Sequence, residues 1–205
     1  MITTIDIECD TSSRLTRECF DSPYRDNESR MWCCTITRLD NDIINRKTFV
    51  CKLPTVSREF KDKYGNIRNT GVYHADYIKV EGFNNIIEFD TSNYKEYLQA
   101  ISDEIRSINK IYFRGFKSKI NGEPVYDDYD KEMLTAIFSK NGVTFDVSNV
   151  VNVYSEYDNL EIDKSNNQVS YGNWKPPQIY FNDGIRHNIQ DSNRLAKAIK
   201  SVNQE

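Results

Sequence analysis

No apolar run approaches the roughly 18 residues that a membrane-spanning helix needs, so no helical membrane crossing is expected. Nor is there a block of Lys or Arg. The net charge is −4, which argues against a protein that coats nucleic acid by neutralising phosphates along its length. That objection does not extend to a chain whose excess acids hold divalent ions, because bound cations invert the local field. Histidine is scarce, with His74 and His187 the only two. The five cysteines, Cys9, Cys19, Cys33, Cys34 and Cys51, show no Cys-x-x-Cys spacing and have no histidine nearby, which argues against a zinc site. Their odd number, with no secretory leader read ahead of them, points to free thiols in a reducing cytoplasm. No internal repeat and no low-complexity tract occurs.

What is present fits a folded domain. The 205 residues are 38% hydrophobic and 12% aromatic, with 13 Tyr and 10 Phe supplying much of the apolar bulk. One domain over 1–205 is expected, carrying insertions near 53–85 and 116–128. Richness in Asn, Lys, Ile and Tyr suggests an AT-rich genome, such as that of a bacteriophage.

The first ten residues read as a strand in which Asp6 and Glu8 share one face while Ile5 and Ile7 share the other. Two neighbouring carboxylates on a buried strand lose hydration and repel, at a cost of several kcal/mol each, roughly, unless a cation or hydrogen bonds compensate. Hard divalent cations prefer oxygen ligands, so both acids are candidate metal ligands.

After a polar stretch over 11–30 broken by Pro23, runs at 31–38 and 43–51 flank Leu39-Asp40-Asn41-Asp42 as a hairpin. Residues 53–85 read as an insertion of irregular or small β structure, and His74 there as a surface or packing residue. A short strand is expected over 86–90. Ser92 then offers a helix cap, and Tyr94, Tyr97, Leu98, Ile101, Ile105 and Ile108 predict an amphipathic helix over 93–109. A strand over 110–116 ends in Phe113-Arg114-Gly115. Asn121-Gly122 reads as a hairpin tip, making 116–128 a projecting β-arm. A helix opens at Tyr129-Asp130 and stops at Asn141-Gly142, a further strand lies within 143–160, and 161–178 reads as a surface loop holding Trp174. The last helix is expected to start near Asn188, with Leu195, Ala196, Ile199 and Val202 facing the sheet. His187 and Asp191 then stand on one helical face.

These stretches together resemble the DEDD superfamily of 3′–5′ exonucleases, in particular its histidine branch, which includes proofreading exonucleases, oligoribonuclease, ribonuclease T and the phage exonuclease A group. The resemblance implies an α/β fold, a ribonuclease H-like mixed five-stranded sheet with antiparallel N-terminal strands and flanking helices. It implies two Mg²⁺ or Mn²⁺ held by Asp6, Glu8, Asp130 and Asp191, and His187 as general base. Asp127 and Asp128 compete with Asp130 for the middle position, where Leu134 and the helix register favour Asp130. His187 and Asp191 are one residue closer than in the histidine branch, at the separation of the tyrosine branch; restoring the longer spacing would put Ser192 in the acid's place. The segment 116–128 is also longer than in close relatives. Arg114, Lys117, Lys119 and Arg186 are the expected phosphate contacts of a single-stranded DNA or RNA 3′ end. The alternatives are a catalytically inactive nucleic-acid-binding or host-interaction module and a ribonuclease H-like endonuclease.

Overall fold

The computed structural model describes residues 1–10, 30–52, 58–61, 67–70, 83–162 and 177–204. Strand β1 (Ile2–Asp10) is central to a six-stranded sheet. It pairs antiparallel with β2 (Arg30–Asp40), which pairs antiparallel with β3 (Ile43–Lys52). Asn41 takes the left-handed conformation (φ 53°) in the tight turn between β2 and β3, a backbone region asparagine tolerates well. Strand β6 (Ile86–Asp90) lies parallel to β3 at one edge. On the other side β7 (Ile111–Phe113) lies parallel to β1, and β10 (Val150–Asn152) parallel to β7. The order is β10-β7-β1-β2-β3-β6, and β2 alone runs against the rest. The fold is therefore α/β with a mixed sheet, and it has one strand more than the five expected.

Two short ladders stand apart from this sheet. Strands β4 (Arg58–Lys61) and β5 (Ile67–Thr70) pair antiparallel within the expected insertion. Strands β8 (Phe116–Ile120) and β9 (Glu123–Asp127) form the expected arm, turned by Asn121 (φ 54°) and Gly122 (φ 88°). Two successive positive φ values need residues without a heavy steric penalty there, which Asn-Gly supplies. The strand expected over 110–116 thus stops at Phe113, and Arg114-Gly115 breaks it before the arm begins.

Among the described residues, three helices cover the sheet. Helix α1 (Tyr94–Ile105) buries Tyr97, Leu98, Ile101 and Ile105 against β3 and β6. It is shorter than 93–109, yet Ile108 remains buried in the turn that follows. Ser92 does not cap it. The entry is a single 3₁₀ turn over Thr91–Asn93, and the Thr91 hydroxyl donates to the Lys52 carbonyl at the end of β3. Helix α2 (Tyr129–Lys140) buries Met133, Leu134, Ile137 and Phe138, and Gly142 (φ 64°) closes it.

Helix α3 (Pro177–Val202) differs most from expectation, because it begins at Pro177 instead of near Asn188. Proline suits a first helical turn, whose N–H has no partner within the helix. Gly184 costs about 1 kcal/mol relative to alanine in a helix interior. Burial of Ile185 and Ile189 in the main core outweighs that penalty. His187 therefore lies within a continuous helix and not just before one.

The two faces of β1 differ in chemistry. Ile5 and Ile7 enter the main core with Ile36, Phe49, Leu98, Leu134 and Phe138. Thr4, Asp6 and Glu8 stand opposite Thr37, Thr35 and Cys33 on the other face, the one α3 crosses. A second apolar cluster, built on Tyr112, Val153, Leu195 and Ile199, fixes the C-terminal half of α3.

Candidate acidic site

Alternation along β1 turns both Asp6 and Glu8 toward α3, whose register brings Asn188 and Asp191 to Asp6 and sets His187 beside Asp191. Asp6 keeps some exposed surface, yet protein surrounds it densely enough that burial is the first cause raising its pKa well above the usual carboxylate range. The negative charges of Glu8, Asp130 and Asp191 raise it further, and Arg114 opposes them. Carboxylates from β1, α2 and α3 thus all bear on Asp6.

Asn188 Nδ2 donates to Asp6 Oδ2 at 2.7 Å. His187 Nε2 lies 3.4 Å from Asp191 Oδ2, with the two side chains 18% and 13% exposed. Burial lowers the His187 pKa below its usual value, and the Asp191 charge only partly offsets this. The imidazole is accordingly neutral near pH 7. Two guanidiniums flank Asp191, Arg194 Nη1 at 3.5 Å and Arg114 Nη1 at 4.0 Å.

Asp130 sits in the first turn of α2, where the helix dipole favours a negative charge. Asp128, at the position preceding that helix, accepts a hydrogen bond from Asn152 Nδ2 at 2.9 Å. The Asp127 side chain lies outside the described residues, as do His74, Trp174 and Cys19. Ser192 is wholly buried: its Oγ donates to Thr37 Oγ1 at 2.9 Å and it packs against Thr4.

The expected phosphate contacts divide. Arg114 belongs to the cluster. Lys117 forms an ion pair with Asp158, and Lys119 and Arg186 are exposed. The described cysteines are all free thiols. Cys33 stands opposite Glu8 and Cys34 opposite Ile7, and burial raises both thiol pKa values with the nearby carboxylates adding to it, so both remain protonated.

Two residues were missed from the sequence. Arg194 is an ordinary charge on a helix, and nothing in its spacing marks it. Asn188 did leave a signal: with Ser192 it is a polar residue in the otherwise apolar stripe 185, 189, 195, 196, 199 that α3 buries.

Ionised, Asp6, Glu8, Asp130 and Asp191 carry four negative charges against two positive ones on Arg114 and Arg194. Carboxylate oxygens beside a neutral imidazole suit a hard divalent cation in donor type. In position they are looser, since among the described residues no three His, Cys, Asp or Glu side chains converge as a ligand set for one ion. Among the described residues, no helix is long and apolar enough to cross a membrane. No family model, no curated protein and no solved structure matches the chain.

Proposed function

We propose that the chain is a metal-dependent 3′–5′ exonuclease that releases nucleoside 5′-monophosphates from single-stranded DNA or RNA ends. The carrying observation is the convergence on Asp6 of Glu8, Asp130 and Asp191, from three separate elements, with His187 beside Asp191. The strand order supports a ribonuclease H-like classification: antiparallel β1, β2 and β3 come first, then β7 and β10 are added parallel on the far side of β1.

Asp6, Glu8, Asp130 and Asp191 are the residues that would hold two Mg²⁺ or Mn²⁺. When bound, such ions lower the pKa of a coordinated water and neutralise the charge that develops on phosphate. The chain's own residues do the remainder. His187, kept neutral by burial, would accept the proton of the attacking water on its imidazole. The imidazolium so formed is stabilised by Asp191 3.4 Å away. Arg114, 4.0 Å from the same carboxylate, would meet a phosphate of the incoming strand. The composition and the free thiols support a cytoplasmic role in a phage-infected host.

The inactive binding or interaction module is kept as a second reading, favoured by the lack of a ready-made ligand set and by the guanidiniums already flanking Asp191. The test is incubation of wild type and Asp191→Ala with 5′-labelled single-stranded DNA and RNA in Mn²⁺, with products resolved by length. A ladder shortening from the 3′ end in wild type alone supports the exonuclease and names its sugar. Intact substrate throughout, with Mn²⁺ bound, supports the inactive module.

A further inference from the structure

Asn188 is wholly buried in the stripe that α3 turns to the sheet. A primary amide is costly there unless both of its ends are bonded. Its Nδ2 donates to Asp6 Oδ2 at 2.7 Å, and Cys33 Sγ donates to its Oδ1 at 3.4 Å. Chemistry fixes the orientation of the amide. The Asp6 oxygen accepts from the NH₂ group, and the carbonyl oxygen is left for a donor. The protonated Cys33 thiol is that donor. It stands on β2 directly opposite Glu8, so one residue pair of the sheet supplies both an acid of the cluster and the group that orients the amide.

We propose that Asn188 is a positioning residue that holds the Asp6 carboxylate for a divalent cation, its own amide oriented by the Cys33 thiol. This rests on the metal-site reading of Asp6 given above. A carboxylate on a strand rotates about its Cβ–Cγ bond, and a hydrogen bond to one oxygen from a rigid, buried amide stops that rotation. Partners of this kind orient metal ligands, and their loss costs about 10–100-fold in metal affinity.

The experiment is Mn²⁺ titration calorimetry on the purified full chain, with thermal melting in EDTA alongside. Asn188→Ala is expected to weaken Mn²⁺ binding by about 10–100-fold. Cys33→Ser, which keeps a donor, binds as wild type does, and Cys33→Ala binds severalfold more weakly. Unchanged Mn²⁺ affinity in Asn188→Ala, with only a lower melting temperature, would overturn the proposal and leave Asn188 a packing residue. Should wild type bind no Mn²⁺, the metal-site reading falls, and a double-mutant cycle of Asn188→Ala with Asp6→Ala in EDTA decides whether the contact holds Asp6. Non-additivity of about twofold or more in the unfolding constant supports it, and additive effects overturn it.

Discussion

Thr4 and Ser192, 188 positions apart, join β1 to α3: the Thr4 hydroxyl donates to the Ser192 carbonyl at 2.8 Å, and the two hydroxyl oxygens stand 3.1 Å apart. The contact lies two residues from Asp6 on the strand and one from Asp191 on the helix, so it sets the register between the two halves of the acidic cluster. Thr4→Val keeps the shape and removes the donor. The variant should lose about 0.5–1.5 kcal/mol, the net worth of one buried hydrogen bond. Urea unfolding measures it, and wild-type stability would show that the helix is held by its apolar stripe alone.

Ser192 is also where the longer His-to-acid spacing would put the last acid. Its hydroxyl is committed to Thr37, whose own hydroxyl donates to Asn193 Oδ1 at 3.2 Å. Ser192→Asp should therefore bury an uncompensated charge and destabilise by about 3–5 kcal/mol. A stable Ser192→Asp protein with tighter Mn²⁺ binding would mean that α3 can present the next residue in place of Asp191.

The strand pattern was readable because its signals are local. Asp6 and Glu8 fall on one face by alternation, and Asn121-Gly122 marks a turn by its backbone freedom. The length of α3 was not, since Gly184 looks like a boundary and only tertiary burial of Ile185 and Ile189 overrides it. The shortened β7 exit was hidden for a related reason: Phe116 continues an apolar pattern although Arg114-Gly115 has already left the sheet. At the site, the acids were legible as residue types, whereas Asn188 and Arg194 became partners only through the register of α3 on β1.

Asp6 makes the acidic cluster costly to fold without a cation. Its folded pKa is raised above the unfolded value of 3.8, so its contribution is fully present below that value and is lost as pH rises through the folded pKa. Asp6→Asn removes the charge and retains an acceptor for Asn188. In EDTA at neutral pH the variant should melt higher than wild type, by about 2–4 °C for each 1 kcal/mol of repulsion relieved, and the gain should shrink as pH falls toward 4. A lower melting temperature at neutral pH would mean that Arg114 and Asn188 already compensate Asp6.

Glu104 has the opposite sign. Burial tends to raise its pKa, but hydrogen bonds from Lys47 Nζ at 2.6 Å and from Arg38 outweigh this and hold it below the usual 4.5. Its stabilisation is present above that value and is lost as pH falls through the lowered folded pKa. Glu104→Gln should cost about 1–2 kcal/mol at neutral pH and flatten the acid limb of a stability–pH curve. A limb unchanged in the variant would assign acid unfolding to other carboxylates.

The β8–β9 arm leaves the fold between Arg114 and Asp130, both in the electrostatic surroundings of Asp6. In its register Lys117 faces Tyr126 and Lys119 faces Pro124, so both lysines share a face with an aromatic ring that is 37% exposed. Bases stack on such rings and phosphates pair with lysines. Joining Ser118 to Val125, which are paired directly, through a two-residue Asn-Gly turn removes the tip without disturbing the base of the arm. Because Lys119 and Ile120 are exposed, stability should change by no more than about 0.5 kcal/mol. If the arm guides a strand, KM for long single strands rises while kcat on a short one is unchanged. An equal fall of kcat on both substrates would instead make the arm a support for Arg114 and Asp130, since only a displaced site slows chemistry regardless of substrate length.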